Sequence, residues 1–140
     1  MTEKKRVLFL CTGNSARSQM AEGLLRYEAG DRFEVLSAGT ISSFVRPQAI
    51  AVMSELGIDI SAHSSKSLDG FLTNSLDYVI TVCDHANQRC PVFPGPAKRL
   101  HWSIEDPVIS GSEAQQLEAF RQARDELRQR IHQFTQENNA

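Results

Sequence analysis

The sequence has little net charge, no long apolar run and only three cysteines. Its 15 lysines and arginines face 17 aspartates and glutamates, so a net charge of −2 offers no broad basic surface for nucleic acid. A short apolar run, residues 7–10, follows the basic N-terminus, which makes this stretch neither a signal peptide nor a membrane span. We therefore expect a cytoplasmic protein that binds neither nucleic acid nor membrane.

No linker or internal repeat divides the chain. A length of 140 residues falls in the usual range of one domain, and hydrophobic residues at 41% are enough for one core. We predict a single domain over residues 1–140 and a monomer.

Apolar patterns alternate between strand and helix along the chain. They predict strands at 6–10, 33–39, 78–82 and 99–102, and helices at 17–29, 47–56, 68–72 and from 112 onwards. Ser112 and Gln115 have the spacing of a capping box at the start of the last helix. Such alternation favours an α/β fold with an open parallel sheet. Ligands bind these sheets beyond the carboxyl ends of the strands, where Cys11, Cys83 and Asp106 fall.

Residues 11–18, which we call the anion loop, read Cys-Thr-Gly-Asn-Ser-Ala-Arg-Ser between the first strand and the first helix. With Gly13 allowing backbone angles that a side chain forbids, the loop can curl until its N–H groups, the helix N-terminus and Arg17 face a tetrahedral oxyanion. The same groups stabilise a thiolate at Cys11, and Ser18 is spaced to donate a hydrogen bond to the sulfur. A buried core cysteine is the alternative, but the Cys-x5-Arg-Ser pattern favours a catalytic nucleophile.

Asp106, Cys83 and Cys90 each have a structural alternative to a catalytic role. An aspartate before a proline is commonly only a turn residue. The spacing of Cys83 and Cys90 fits no common zinc pattern, which leaves two reduced structural thiols or a redox pair. The polar residues 84–89 between them are typical of a solvated segment.

Three segments together resemble a known family. Residues 11–22, residues 37–39 and Asp106-Pro107 are similar to the low-molecular-weight tyrosine phosphatases, and within them to the thioredoxin-coupled arsenate reductases. The resemblance covers nearly the whole chain and implies three layers, an open sheet of four parallel strands with helices on both faces. It also implies an oxyanion-binding loop made of Thr12, Gly13, Asn14, Ser15, Ala16, Arg17 and Ser18.

The arsenate reductases that the chain resembles reduce arsenate to arsenite and so detoxify arsenic. The resemblance implies that Cys11 is the nucleophile, Asp106 the general acid and Arg17 an anion ligand. Cys83 and Cys90 then form a redox disulfide that thioredoxin reduces, and phosphate or sulfate compete with arsenate. Two alternatives stay open. One is a phosphatase that hydrolyses phosphate monoesters through a Cys11 phosphoenzyme, and the other is a noncatalytic anion-binding module.

The chain departs from the families it resembles at three places. Residues 108–111 lack the aromatic side chains that phosphatases usually carry after Asp106-Pro107, which favours the reductase. Position 16 is alanine, where many relatives have another cysteine. Some relatives bind potassium through four residues, which correspond here to Asn14, Glu22, Ser37 and Lys66. Lys66 stands where those relatives have an aspartate, and it is either a solvated lysine or a cation that supplies the charge of the ion. We expect no metal and no tightly bound cofactor.

Overall fold

The computed structural model describes residues 4–41, 43–73, 75–88, 90 and 97–138. The elements in chain order are β1 (Lys5–Cys11), α1 (Arg17–Ala29), β2 (Phe33–Gly39), α2 (Pro47–Ser54), a short 3-10 helix (Leu68–Phe71), β3 (Tyr78–Thr81), α3 (Asp84–Gln88), β4 (Lys98–His101) and α4 (Glu113–Glu137). None of the helices in these ranges is long and apolar enough to cross a membrane.

The four strands form one parallel sheet in the order β2-β1-β3-β4. β1 lies between β2 and β3, and its residues from Val7 to Leu10 are fully buried. Because neighbouring side chains of a strand point to opposite faces, this burial means that both faces of the sheet are covered. α1 packs against β1, β2 and α4, while α3 packs against β1 and β3. The predicted α/β fold, an open sheet of four parallel strands with helices on both faces, is confirmed.

α4 completes the core with an aromatic cluster. The ring of Phe134 contacts three other rings at centroid distances of 5.1–6.2 Å, those of Phe33, Tyr78 and Trp102. The helix begins with the predicted capping box: the Gln115 amide donates to Ser112 Oγ at 3.1 Å, and the Ser112 amide donates to Gln115 Oε1 at 2.8 Å. Both bonds satisfy backbone donors that a helix start leaves without an intrahelical partner.

Residues 84–88 of the segment predicted to be solvated form the short helix α3, whose Asp84 and Gln88 are exposed and whose Ala86 is buried; residue 89 lies outside the described residues. Two tertiary contacts explain the helix. The Ala86 side chain is fully buried, and Asp84 Oδ1 accepts hydrogen bonds from His101 Nε2 at 2.9 Å and from Ser103 Oγ at 3.0 Å. Contacts with residues far along the chain thus determine a helix that its own polar composition does not predict.

Candidate active site

The anion loop lies between the carboxyl end of β1 and the segment that follows β2. The Ile41 amide donates to the Thr12 carbonyl at 3.1 Å, which holds this segment against the loop. A Cβ atom at Gly39, the last residue of β2, would lie 2.6 Å from the Thr12 carbonyl oxygen and 2.7 Å from the Asn14 nitrogen. Glycine at this position therefore allows the two backbones to approach closely.

The left-handed residue of the anion loop is Asn14, with φ at 48°, and the prediction that Gly13 takes such angles is wrong. A Cβ atom at Gly13 would only make ordinary contacts, the nearest at 3.5 Å from Ser43 Cβ. Asparagine tolerates this conformation better than most residues. Here its Oδ1 accepts hydrogen bonds from the Lys66 amide at 2.8 Å and from Gln19 Nε2 at 2.9 Å. These bonds fix the curl of the loop.

The Cys11 sulfur is buried at the bottom of the loop and contacts one hydroxyl. Ser18 Oγ lies 2.8 Å from Cys11 Sγ, and Asn14 Nδ2 donates to the same Ser18 oxygen at 2.7 Å. A thiolate has no proton to give, so the Ser18 hydroxyl is the donor to Cys11 when that sulfur is charged, while its oxygen accepts from Asn14. A hydrogen bond from this hydroxyl stabilises a negative charge on Cys11.

A cavity of about 220 Å³, which we call the anion cavity, opens above Cys11. Seven residues predicted for the site line it: Cys11, Thr12, Gly13, Ser15, Ala16, Arg17 and Asp106. Asn14 and Ser18 are fully buried and brace the loop from behind. Ala16 offers no side-chain cap to α1, so N–H groups in the first turn of the helix are available to an anion in the cavity.

Arg17 and Asp106 meet at the edge of the anion cavity. Arg17 NH1 donates to the Ile104 carbonyl at 3.0 Å, and its NH2 lies 3.8 Å from Asp106 Oδ2. The Asp106 side chain is 58% exposed, and its Oδ1 accepts a hydrogen bond from the Val108 amide at 3.0 Å. Asp106 is therefore a turn residue that also presents a carboxyl oxygen to the cavity.

Cys83 lies in a neighbouring cavity of about 530 Å³ that shares Thr12, Arg17 and Asp106 with the anion cavity. Its sulfur is 3.4 Å from Thr12 Oγ1 and also accepts the Ala86 amide hydrogen at 3.4 Å. The parallel pairing of β1 with β3 explains this position, because it places the carboxyl ends of both strands at one edge of the sheet.

Cys90 is the third thiol of the chain. It is half-buried, packs against the hydrophobic core and lines neither of the two cavities. Burial raises the pKa of the Cys90 thiol, and the charge of Arg99 offsets this rise in part. No disulfide joins the three cysteines, all of which are described.

The residues that correspond to a potassium site have protein partners here. The buried Glu22 accepts a hydrogen bond from Ser37 Oγ through Oε1, and its Oε2 pairs with Arg26 NH2 at 2.7 Å. The Lys66 ammonium donates to the Ser64 carbonyl at 2.7 Å, so Arg26 and not Lys66 neutralises Glu22. Within the described ranges, no group of three or more His, Cys, Asp and Glu side chains is placed to hold a metal ion.

Four further residues line the anion cavity that the sequence did not predict: Ile41, Ser43, Arg46 and Val108. Three of them follow β2, whose parallel pairing with β1 brings this segment beside the anion loop. Their position in the chain could have indicated these residues, because segments that follow neighbouring parallel strands meet at the ligand-binding edge of the sheet.

The chain is similar to a known family along almost its whole length. The family model described as low molecular weight phosphotyrosine protein phosphatase matches residues 6–140. The arsenate reductase of Halalkalibacterium halodurans is 43% identical over 134 residues, which cover 95% of this chain and 96% of that protein. The arsenate reductase of Bacillus subtilis is 42% identical over 135 residues, or 96% of this chain and 97% of that protein.

Solved structures of two arsenate reductases and of one tyrosine phosphatase superpose on the chain. An arsenate reductase in the phosphate-binding state has a TM-score of 0.77 at 36% identity, and the match covers 95% of this chain and 98% of that chain. The thioredoxin-dependent arsenate reductase of Corynebacterium glutamicum has a TM-score of 0.64 at 32% identity, and the match covers 94% of this chain and 63% of that chain. The low-molecular-weight protein tyrosine phosphatase of T. tengcongensis has a TM-score of 0.78 at 29% identity, and the match covers 96% of this chain and 99% of that chain.

Proposed function

The chain belongs to the low-molecular-weight phosphotyrosine protein phosphatase family, and on that premise we propose that it reduces arsenate to arsenite with three thiols. The position of Cys83 carries this proposal. Its sulfur is 3.4 Å from the Thr12 hydroxyl, in a cavity that shares residues with the anion cavity above Cys11. A phosphatase uses one thiol at this site, whereas a two-electron reduction needs a second thiol close to the first.

The first step binds arsenate and forms a bond from sulfur to arsenic. Arsenate is tetrahedral like phosphate, so the N–H groups of the anion loop and Arg17 bind its oxygens. The Cys11 thiolate, held by the Ser18 hydroxyl at 2.8 Å, attacks arsenic. Protonated Asp106 gives its proton to the oxygen that leaves, which departs as water.

The second step transfers two electrons. The Cys83 sulfur attacks the Cys11 sulfur, the Cys11–Cys83 bond forms and the bond from Cys11 to arsenic breaks. The electron pair of that broken bond stays on arsenic, which is reduced from As(V) to As(III) and leaves as arsenite. Cys90 then attacks Cys83 and releases the Cys11 thiolate, and thioredoxin reduces the resulting Cys83–Cys90 disulfide by thiol–disulfide exchange.

α3 has to rearrange during this sequence. A disulfide requires Cα atoms within about 7 Å, and Cys83 must meet that distance first with Cys11 and then with Cys90. The hydrogen bonds from His101 and Ser103 that hold Asp84 also lower the pKa of its carboxyl. Release of α3 from these contacts accompanies oxidation, so amide exchange across residues 84–88 is faster in the oxidised protein than in the reduced one.

The remaining partners follow from this chemistry. Phosphate and sulfate compete with arsenate for the anion loop, because both are tetrahedral oxyanions. Thioredoxin is the reductant, in line with the thioredoxin-dependent neighbour, and the thiols require a reducing compartment such as the cytoplasm. We propose that the protein acts as a monomer, since the anion loop, Asp106 and Cys83 lie around two adjoining cavities of one chain. No potassium ion is needed, because Arg26 already pairs with Glu22.

Phosphatase activity is the second candidate, and the mouth of the anion cavity favours it. Three apolar side chains at or beside this mouth are strongly exposed: Ile41 at 61%, Phe44 at 55% and Val108 at 41%. An aryl group attached to phosphate can pack against such side chains.

The two candidates are separated by measuring arsenite release with a thioredoxin-recycling system and hydrolysis of an aryl phosphate on the same protein. Cys11→Ser abolishes both activities. Cys83→Ser abolishes arsenite release and leaves hydrolysis, because only the reduction uses the second thiol. Aryl phosphate hydrolysis without arsenite release by the wild-type protein would replace the reductase with the phosphatase.

A further inference from the structure

Arg46 is a second arginine at the anion cavity. It immediately precedes α2, and its backbone amide donates to the Ser15 carbonyl of the anion loop at 2.9 Å. Its side chain lines the same cavity as Cys11 and Arg17. The backbone contact fixes where the Arg46 side chain starts, directly beside the loop.

The Arg46 guanidinium has no acceptor among the residues that the structure describes. Its Nε is buried without a hydrogen-bond partner there, and none of these residues forms an ion pair with it. Its Cζ lies 5.1 Å from the ring centroid of Phe44, so the ring supports the guanidinium without using its N–H groups. Arg17 differs, because its NH1 donates to the Ile104 carbonyl and its NH2 approaches Asp106. A buried N–H without an acceptor is unfavourable, which indicates an acceptor that arrives from the cavity.

The charges around the anion cavity also favour an anion as the acceptor for Arg46. Two guanidinium groups, those of Arg17 and Arg46, line it together with the single carboxylate of Asp106. When Asp106 is protonated to act as an acid, the two guanidinium charges outnumber the one negative charge of the Cys11 thiolate, so the lining stays positive. A tetrahedral oxyanion with two negative charges complements them better than one with a single charge.

We propose that Arg46 binds the outer oxygens of the oxyanion and makes the site prefer the dianion. For arsenate this rests on the proposed function, whereas binding of inorganic phosphate tests it independently of any reduction. Phe44 is a positioning residue in this account, since it touches the guanidinium and not the anion.

Calorimetric titration of the reduced protein with inorganic phosphate tests the proposal. Arg46→Gln is expected to weaken binding about 10- to 100-fold, the range for a lost hydrogen bond to a charged group. Arg46→Lys keeps the charge but loses the planar fork of the guanidinium. Its phosphate affinity is therefore expected to lie between those of the wild type and Arg46→Gln. Arg130→Gln removes the same charge from an exposed position of α4 and serves as the matched control, with wild-type affinity expected. Equal phosphate affinity in Arg46→Gln and Arg130→Gln would overturn the proposal.

Two further readouts exclude a merely structural role. Wild-type affinity rises as phosphate loses its second proton, and Arg46→Gln flattens this rise; an unchanged pH profile would overturn the dianion preference. Without phosphate, Arg46→Gln lowers the melting temperature only slightly, because the contact with the Phe44 ring is lost but no acceptor within the described residues is. A lower melting temperature with unchanged phosphate affinity would assign Arg46 to the fold. Phosphate affinity that depends on Arg46 in a protein that releases no arsenite would refute the proposed reduction alone.

Discussion

Ser18→Ala removes the only hydroxyl that contacts the Cys11 sulfur within the described part of the chain, at 2.8 Å. Asn14 Nδ2 donates to the same Ser18 oxygen at 2.7 Å, and a thiolate can only accept, so Ser18 donates its proton to the charged sulfur. The substitution therefore removes a donor to the thiolate and leaves the anion loop its other braces, the bonds from Lys66 and Gln19 to Asn14.

The size of the effect follows from the charge on the acceptor. A hydrogen bond to a charged group contributes about 1.5–3 kcal/mol, so its loss destabilises the charged sulfur by a factor of roughly 10 to 100. A more basic thiolate is a better nucleophile, with a Brønsted coefficient of about 0.4–0.5, so about half of the loss on a logarithmic scale is recovered. We expect Cys11 of the variant to be alkylated about 4- to 15-fold more slowly.

The assay is the rate of iodoacetamide labelling at neutral pH, with the modified cysteine identified by peptide mass spectrometry. Ser54→Ala is the matched control, because Ser54 is an exposed residue of α2. It is expected to label at the wild-type rate. If Ser18→Ala also labelled Cys11 at that rate, the hydroxyl would not stabilise the thiolate, and the role given to Ser18 and Asn14 would be refuted.

Two other predictions concern stability. Arg121 and Arg124 hold the pKa of Glu55 at about 2, against an ordinary 4.5, so the charged pair stabilises the fold above pH 4.5 and this contribution is lost as the pH falls towards 2. Glu55→Gln is therefore expected to melt at a lower temperature than the wild type at pH 7 but at a similar temperature near pH 2, and an equal deficit at both pH values would contradict the assignment. The melting temperature is expected to be no higher in potassium chloride than in the same concentration of tetramethylammonium chloride, whereas Lys66→Asp creates or strengthens a potassium-specific rise. Such a rise in the wild type would mean that a cation site survives beside Glu22.

The parts of the fold with strong local signals were predictable from the sequence. The buried strand β1, the anion loop and α1 follow one another with a pattern of apolar residues, loop residues and helical spacing that few structures satisfy. The capping box at Ser112 and Gln115 was equally readable, because both partners lie within one turn of helix.

The features that the sequence did not predict depend on contacts between distant residues. α3 is short and polar, and it is held by the burial of Ala86 and by the bonds from His101 and Ser103 to Asp84. Arg46 becomes part of the site only because β2 pairs with β1 and brings the following segment beside the loop. No local sequence pattern therefore predicts either α3 or the position of Arg46 at the site.

The left-handed position in the anion loop differs from the prediction for another reason. The rule that glycine takes positive φ pointed to Gly13, but the site uses Asn14. The Asn14 side chain accepts two hydrogen bonds from outside the loop and donates one to Ser18, which glycine cannot do. The polar network therefore outweighs the backbone preference at this position.

The most direct test of the three-thiol relay is the stoichiometry of arsenite release by Cys90→Ser with thioredoxin as the only reductant. Cys90→Ser is expected to release about one arsenite per protein, after which the reaction stops with Cys11 joined to Cys83, because the thiol that resolves this disulfide is missing. Peptide mapping without reduction identifies the Cys11–Cys83 bond, and Cys11→Ser releases no arsenite. Repeated turnover of Cys90→Ser at the wild-type rate would contradict the relay.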